Sequence, residues 1–151
     1  MRVTNERLSL APTTQSTAAQ VERARRLLAH EGPAVESAEE RAQAAARVYD
    51  KLGQRLTPLL GVAGVQALFL RSGTLARREL TPPIDDAIME SSQRLVDSLR
   101  RLEPAAAAAT AELLFGNLLA LMTTFIGERL TDEAIHGTWP TLHEPAAMES
   151  Q

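Results

Sequence analysis

The chain has 151 residues, a formal net charge of −3 and no cysteine, so disulfides, thiolate metal sites and cysteine nucleophiles are excluded. This length predicts one domain with a core of its own. Alanine and leucine supply 25 and 22 residues, while aromatic residues make up 3% of the chain, so we expect an all-α fold with an aliphatic core. The acidic balance and the absence of a basic stripe argue against nucleic acid as a partner.

Capping residues, proline and glycine divide the first half of the chain into three predicted helices after a flexible tail at residues 1–14. These helices span residues 17–30, 38–56 and 58–79. Thr17 and Ser37 each begin a capping-box pattern. Thr57-Pro58 predicts a break or kink between the second and third helices, because proline suits the first turn of a new helix.

The second half of the chain predicts two further main helices and a short one. They span residues 84–102, 104–129 and 132–136. From Glu112 to Arg129 the sequence is apolar almost all round, so this helix must lie in a core, an interface or lipid. A carboxylate such as Glu112 is costly inside a bilayer, which argues against a membrane span. The sequence therefore predicts a bundle of five main helices plus a short C-terminal helix around a central apolar helix, as one domain at 15–140 with a tail at 141–151.

A stripe of small side chains follows the central helix at spacings of four, three and four. It consists of Gly116, Ala120, Thr123 and Gly127. Small residues allow the backbone of another helix to approach closely. The stripe therefore predicts a helix-packing or interface surface.

Arg71 stands at the edge of an otherwise apolar helix face, where a charge needs a partner or a route to water. We expect a buried ion pair with Glu128, with Glu112 as the second choice. The alternative is an arginine whose guanidinium reaches solvent.

Three polar side chains on or beside apolar faces are candidates for a small-ligand pocket between helices: Ser72, Ser91 and Asn117. The alternative is that such small polar residues only allow close helix packing.

No catalytic or metal-binding set is visible in the sequence, and we expect no cofactor. Glu133 and His136 have a Glu-x-x-His spacing, but dimetal bundles need two such pairs and further glutamates. Glu112 and Glu128 are sixteen residues apart, about 24 Å along a helix, which is too far for one substrate atom.

Four short motifs stand out between about residues 45 and 140. They are Leu59-Leu60-Gly61, Leu68-Phe69-Leu70-Arg71-Ser72, Phe125-Ile126-Gly127-Glu128-Arg129-Leu130-Thr131 and Trp139-Pro140. Together they resemble a group of small uncharacterised all-helical proteins of soil bacteria. The resemblance implies a cytoplasmic bacterial protein, and it implies no activity because none of the motifs is catalytic.

The pattern leaves three hypotheses open. We favour a non-catalytic helical interaction or regulatory module, a homodimer with an unknown protein partner, because its thin alanine-rich helices leave apolar area uncovered. The alternative is a sensor bundle that holds a small apolar ligand between helices. An enzyme is the third hypothesis, and it would need converging polar residues. The N-terminus has no apolar run of the secretory type, so we expect no secretory signal there, and the cytoplasmic location is what the resemblance implies.

Overall fold

The computed structural model describes residues 18–32, 37–80, 84–85 and 87–142. Within these ranges the chain forms four helices and no strand, which confirms the predicted all-α class. The helices are α1 at 18–31, α2 at Ala38–Arg77, α3 at Ser92–Leu99 and α4 at Pro104–Thr138. The predicted cap at Thr17, the predicted tail at 1–14 and all but the first two residues of the predicted tail at 141–151 lie outside the described residues.

The second and third predicted helices are one element, α2, with an internal break. Its predicted start is confirmed, because Ser37 Oγ accepts a hydrogen bond from Glu40 N at 3.1 Å and the capping box is complete. The helix continues through Pro58 and leaves helical geometry at Gly61, with φ 78° and ψ 162°. That backbone region is essentially restricted to glycine, so the break falls at the first glycine after the proline and not at the proline itself.

The break in α2 is a sharp bend. The rings of Tyr49 and Phe69, on either side of Gly61, have centroids 4.4 Å apart and meet edge to face. In a straight helix twenty residues would separate them by about 30 Å. The second half of α2 therefore folds back along the first.

The fifth and sixth predicted helices are also one element, α4, which begins at Pro104 as predicted and breaks at Gly127, with φ 90° and ψ 161°. Here too the helix is bent, as the contacts of α1 with both halves of α4 indicate. Gly116, before the break, packs against Val21 of α1, and Asp132, after it, accepts a hydrogen bond from Arg23 of α1 at 2.7 Å. The two extra predicted helix boundaries are thus bends within α2 and α4.

The predicted helix at 84–102 is reduced to α3. Ser91 Oγ accepts a hydrogen bond from Arg94 N at 3.2 Å and begins the helix there. Before it, the N–H of Ile88 donates to the carbonyl of Asp85, which is a turn and not a helical hydrogen bond. The Ser91 hydroxyl accepts a hydrogen bond from a backbone N–H, which favours a position at a helix start over one in a helix interior. The helix therefore begins after Ser91 and is shorter than predicted.

The core lies between the bent helices. α2 packs against both α3 and α4. Residues 114–119 of α4 are buried without interruption, so this part of the helix is covered on every side. The largest fully buried side chains include Leu27, Leu52, Leu56, Phe69, Ile88, Leu95, Leu99, Phe115, Leu118 and Trp139.

Candidate interaction surface

Four large apolar side chains of the described residues stay exposed, on α2 and α4. Leu59, Val62, Leu70 and Phe125 are 49%, 74%, 36% and 66% exposed. Three of them lie on α2 within nine residues of Gly61, and Phe125 lies two residues before Gly127 on α4. We call these four residues the apolar surface.

An apolar groove of about 380 Å³ runs beside Phe125 along the second half of α2. It is lined by Leu60, Gly64, Ala67, Leu68, Arg71 and Phe125. After the break at Gly61, Gly64, Ala67, Leu68 and Arg71 follow one another at helical spacing, so the groove runs along one face of the second half of α2. Gly64 and Ala67 leave the middle of that face without large side chains.

Arg71 and Glu128 do not form the predicted buried ion pair. Both side chains are exposed, and neither makes a hydrogen bond or ion pair within the described part of the chain. The second choice of partner, Glu112, accepts instead a hydrogen bond from Arg25 at 3.3 Å.

Solvent exposure explains why Arg71 and Glu128 need no partner. Phe125 lines the apolar groove with both Leu60 and Arg71, whereas Glu128 does not line it. Because both charged side chains are exposed, water solvates them, which fits the alternative in which the guanidinium of Arg71 reaches solvent.

The predicted small-residue stripe divides into two parts. A Cβ at Gly116 would lie 2.6 Å from Val21 Cγ2 and 2.9 Å from Val21 Cα, so α1 and α4 approach closely there. A Cβ at Gly127 would meet nothing within 4 Å, so this glycine serves the bend and does not pack on another helix. Ala120 and Thr123 are half-buried, and Thr123 Oγ1 donates to the Leu119 carbonyl at 3.0 Å.

The three pocket candidates are satisfied by their own surroundings and do not line the apolar groove. Ser72 Oγ donates to the Phe69 carbonyl at 2.7 Å, and Asn117 Nδ2 donates to the Leu113 carbonyl at 2.9 Å. Ser91 caps α3. Their positions fit the alternative interpretation, in which small polar residues allow close packing.

The two residues of the Glu-x-x-His pair do not face a common site. Glu133 accepts a hydrogen bond from Arg129 at 2.9 Å, and His136 is exposed. No group of three or more histidine, aspartate or glutamate side chains that could hold a metal ion occurs among the described residues.

Sequence reasoning missed a buried carboxylate at the end of α1. Glu31, whose side chain is 6% exposed, accepts hydrogen bonds from Lys51 Nζ at 2.5 Å and from Trp139 Nε1 at 2.7 Å. Burial raises the pKa of Glu31, but these bonds and the charges of Lys51 and Arg47 outweigh it, so the pKa is lowered overall. The one available signal was Trp139, since a buried indole N–H needs an acceptor.

Two helices, α2 and α4, are long and apolar enough to cross a membrane, a test that a buried core helix also passes. In the most apolar stretch of α4, 56% of the residues are buried, against 33% in that of α2. The less covered of the two apolar segments is therefore on α2. No protein-family model, curated protein or solved structure matches this chain.

Proposed function

We propose that the protein is a non-catalytic helical interaction module that forms a cytoplasmic homodimer through the apolar surface and regulates or scaffolds a protein partner. The observation that carries the proposal is the exposure of Leu59, Val62, Leu70 and Phe125 on α2 and α4. Phe125 lines the apolar groove, whereas Leu59 and Val62 line separate grooves that also contain charged side chains. An exposed aromatic ring beside an apolar groove is typical of an interaction site.

The two halves of α2 support this proposal because their exposed positions differ in chemistry. Before Pro58, the exposed side chains are all charged or amide: Glu39, Glu40, Gln43, Arg47, Asp50, Lys51, Gln54 and Arg55. From Pro58 to Leu70 they are all non-polar: Pro58, Leu59, Gly61, Val62, Ala63, Ala67 and Leu70. The exposed face of the first half is polar, as on an ordinary solvated helix. The exposed face of the second half is apolar, as on a helix that packs against another protein surface.

A small apolar ligand is the second candidate occupant. The apolar groove has a volume of about 380 Å³, which lies within the usual range of ligand sites. Native mass spectrometry of the purified protein separates the two candidates, because a retained small molecule with a monomeric chain would favour the sensor alternative.

Sedimentation velocity over a range of concentrations tests the homodimer, with Ala67→Glu as the disrupting variant. Ala67 is exposed in the middle of the apolar groove, and glutamate is compatible with a helix. The matched control is Ala105→Glu, an exposed alanine in the first turn of α4 that does not line the apolar groove.

We expect the wild type and Ala105→Glu to dimerise at micromolar concentration and Ala67→Glu to stay monomeric. A wild type that is monomeric throughout contradicts the proposal, as does an Ala67→Glu variant that dimerises normally. Flotation of a monomeric wild type with lipid vesicles would also contradict it, because the apolar surface would then bind a membrane.

A further inference from the structure

We infer that a cleft between α2 and α4 binds a small amphipathic organic anion, in which one carboxylate or phosphate group is joined to an apolar body. The cleft has a volume of about 620 Å³, which lies within the usual range of ligand sites. Arg55 supplies the charge that recognises the anion. The inference goes beyond the proposed homodimer, because the charged side chains of the cleft belong neither to the apolar surface nor to the apolar groove.

The cleft is formed by one face of each helix, before the break in α2 and after the break in α4. Counted from Lys51, the lining residues of α2 lie at positions i, i+3, i+4, i+7 and i+8, and counted from Leu130, those of α4 lie at i, i+3, i+4 and i+8. Both sets have the spacing of one helical face, and neither crosses Gly61 or Gly127. Regular helix geometry therefore places these side chains around one space.

The guanidinium of Arg55 is positioned by the end of α4. Its Nε donates a hydrogen bond to Thr138 Oγ1 at 3.4 Å. A Cβ added to Gly137 would lie 2.5 Å from Arg55 Nη2 and 2.7 Å from Arg55 Cζ, so the guanidinium occupies the space that a side chain there would fill. Neither Nη atom makes a hydrogen bond or ion pair within the described part of the chain. One edge of the guanidinium is thus held, and its other donors face no protein acceptor.

The other two charged side chains of the cleft are already paired. Lys51 Nζ donates a hydrogen bond to Glu31 at 2.5 Å, and Glu133 accepts one from Arg129 at 2.9 Å. Among the residues that line the cleft, Arg55 therefore carries the one charge without a counter-charge, and it is positive. A planar guanidinium binds a carboxylate or a phosphate through two parallel N–H donors. The polar end of the cleft fits such an anionic group.

The rest of the cleft is apolar. Pro58 and Leu59 follow Arg55 on the face of α2, and Leu130 and Ala134 supply the α4 side. Leu59 is 49% exposed, so a ligand that covers it removes apolar area from water. An inorganic anion leaves this apolar wall uncovered, and an uncharged apolar molecule leaves the guanidinium unpaired. The combination selects a molecule that has both parts.

Isothermal titration calorimetry of the purified protein tests the chemical class of the ligand. Octanoate and octyl phosphate carry the same apolar chain on the two candidate head groups, and we expect at least one of them to bind. Binding of one alone identifies the head group. Octanol lacks the charge and acetate lacks the apolar body, so each should bind about tenfold more weakly or worse. Absence of binding by both amphipathic anions overturns the inference, as does equally tight binding of octanol.

Arg55→Gln and Arg71→Gln locate the site. Both arginines are exposed and make no ion pair within the described residues, but Arg55 lines the cleft and Arg71 lines the apolar groove. We expect Arg55→Gln to raise the Kd of the bound probe about tenfold or more, because it removes charged hydrogen bonds, and Arg71→Gln to leave it unchanged. Circular dichroism checks that both variants fold. An unchanged Kd in Arg55→Gln, or a Kd raised by Arg71→Gln instead, contradicts the assignment to the cleft.

Discussion

Phe115 and Phe125 are the same residue type, ten residues apart on α4, and their surroundings are opposite. Phe115 is fully buried within the continuous run at 114–119, whereas Phe125 is 66% exposed beside the apolar groove. Between them the helix leaves the buried run and approaches the bend at Gly127. One uninterrupted apolar sequence therefore supplies both the core and the surface that we propose as an interface.

The charged groups divide in the same way. Glu31 is buried and is held by Lys51 and Trp139, so its charge stabilises the contact between α1, α2 and the end of α4. Glu128 and Arg71 are exposed and make no polar contact within the described residues. The buried carboxylate is thus paired within one chain, whereas Arg71 and Glu128 are exposed to solvent.

The largest expected contrast is between truncations of the two phenylalanines. Phe115→Ala should lower the free energy of unfolding by about 3–5 kcal/mol, because it leaves a cavity in the core. Phe125→Ala should change it by less than about 0.5 kcal/mol in the monomer, because its ring is largely solvated. Urea denaturation at low protein concentration, where self-association does not add stability, measures both. A loss at Phe125 as large as that at Phe115 would mean that the ring is buried in the monomer.

The next contrast concerns two glycines of the same small-residue stripe. Gly116→Ala should cost about 1–3 kcal/mol through overpacking against Val21. Gly127→Ala should cost a similar amount, about 1–3 kcal/mol, but through backbone strain at φ 90°. The additional substitution Val21→Ala should recover part of the loss in Gly116→Ala and none of it in Gly127→Ala.

Gly53 is the control for these glycines. It lies in regular α-helix, and a Cβ there would meet nothing within 4 Å. Gly53→Ala should therefore raise stability by about 0.4–1 kcal/mol. Thermal or urea unfolding of the three alanine variants gives the comparison, and equal losses in all of them would contradict both explanations.

A further contrast concerns the buried carboxylate. Glu31→Gln should cost about 1–2 kcal/mol at pH 7, because it removes charged hydrogen bonds to Lys51 and Trp139. The folded-state pKa of Glu31 lies below its ordinary value of 4.5. The stabilisation is therefore fully present above pH 4.5 and is lost as the pH falls through the folded-state pKa.

Unfolding of the wild type and of Glu31→Gln between pH 7 and pH 3 measures this difference, which should be constant at first and shrink below about pH 4.5. Glu133→Gln is the matched control, because Glu133 is exposed and its salt bridge to Arg129 should contribute less than about 0.5 kcal/mol. A difference that grows on acidification would show that the charge of Glu31 destabilises the fold.

Local sequence signals predicted the fold where the cause is itself local. The capping box at Ser37 and the proline at the start of α4 act within one helical turn, and both helices begin where those residues predict. The predicted position of the bend in α2 was wrong because two nearby residues can each cause one. Pro58 and Gly61 both disfavour a straight helix, and the bend occurs at the glycine because only glycine adopts its backbone angles without strain.

The candidate site could be predicted only in outline. The length and apolarity of α4 implied uncovered apolar area, but the sequence placed the close-packing stripe and the ion pair within a single chain. Gly127 and Glu128 follow Phe125 directly, and the bend there redirects the helix, so helical spacing no longer predicts which residues share a face. The wrong prediction of the stripe and of the ion pair could be recognised only once the bend at Gly127 was known.

By itself, the sequence determined the helical class, the aliphatic core, two helix starts and the presence of more apolar surface than the neighbouring helices cover, because composition and capping act locally. Only the tertiary structure decided which part of that surface is covered. Burial of Phe115 and exposure of Phe125 depend on where α1 lies against α4 and on how far α2 and α4 bend at Gly61 and Gly127. Those positions follow from contacts between residues distant in the chain, and periodicity within one helix does not encode them.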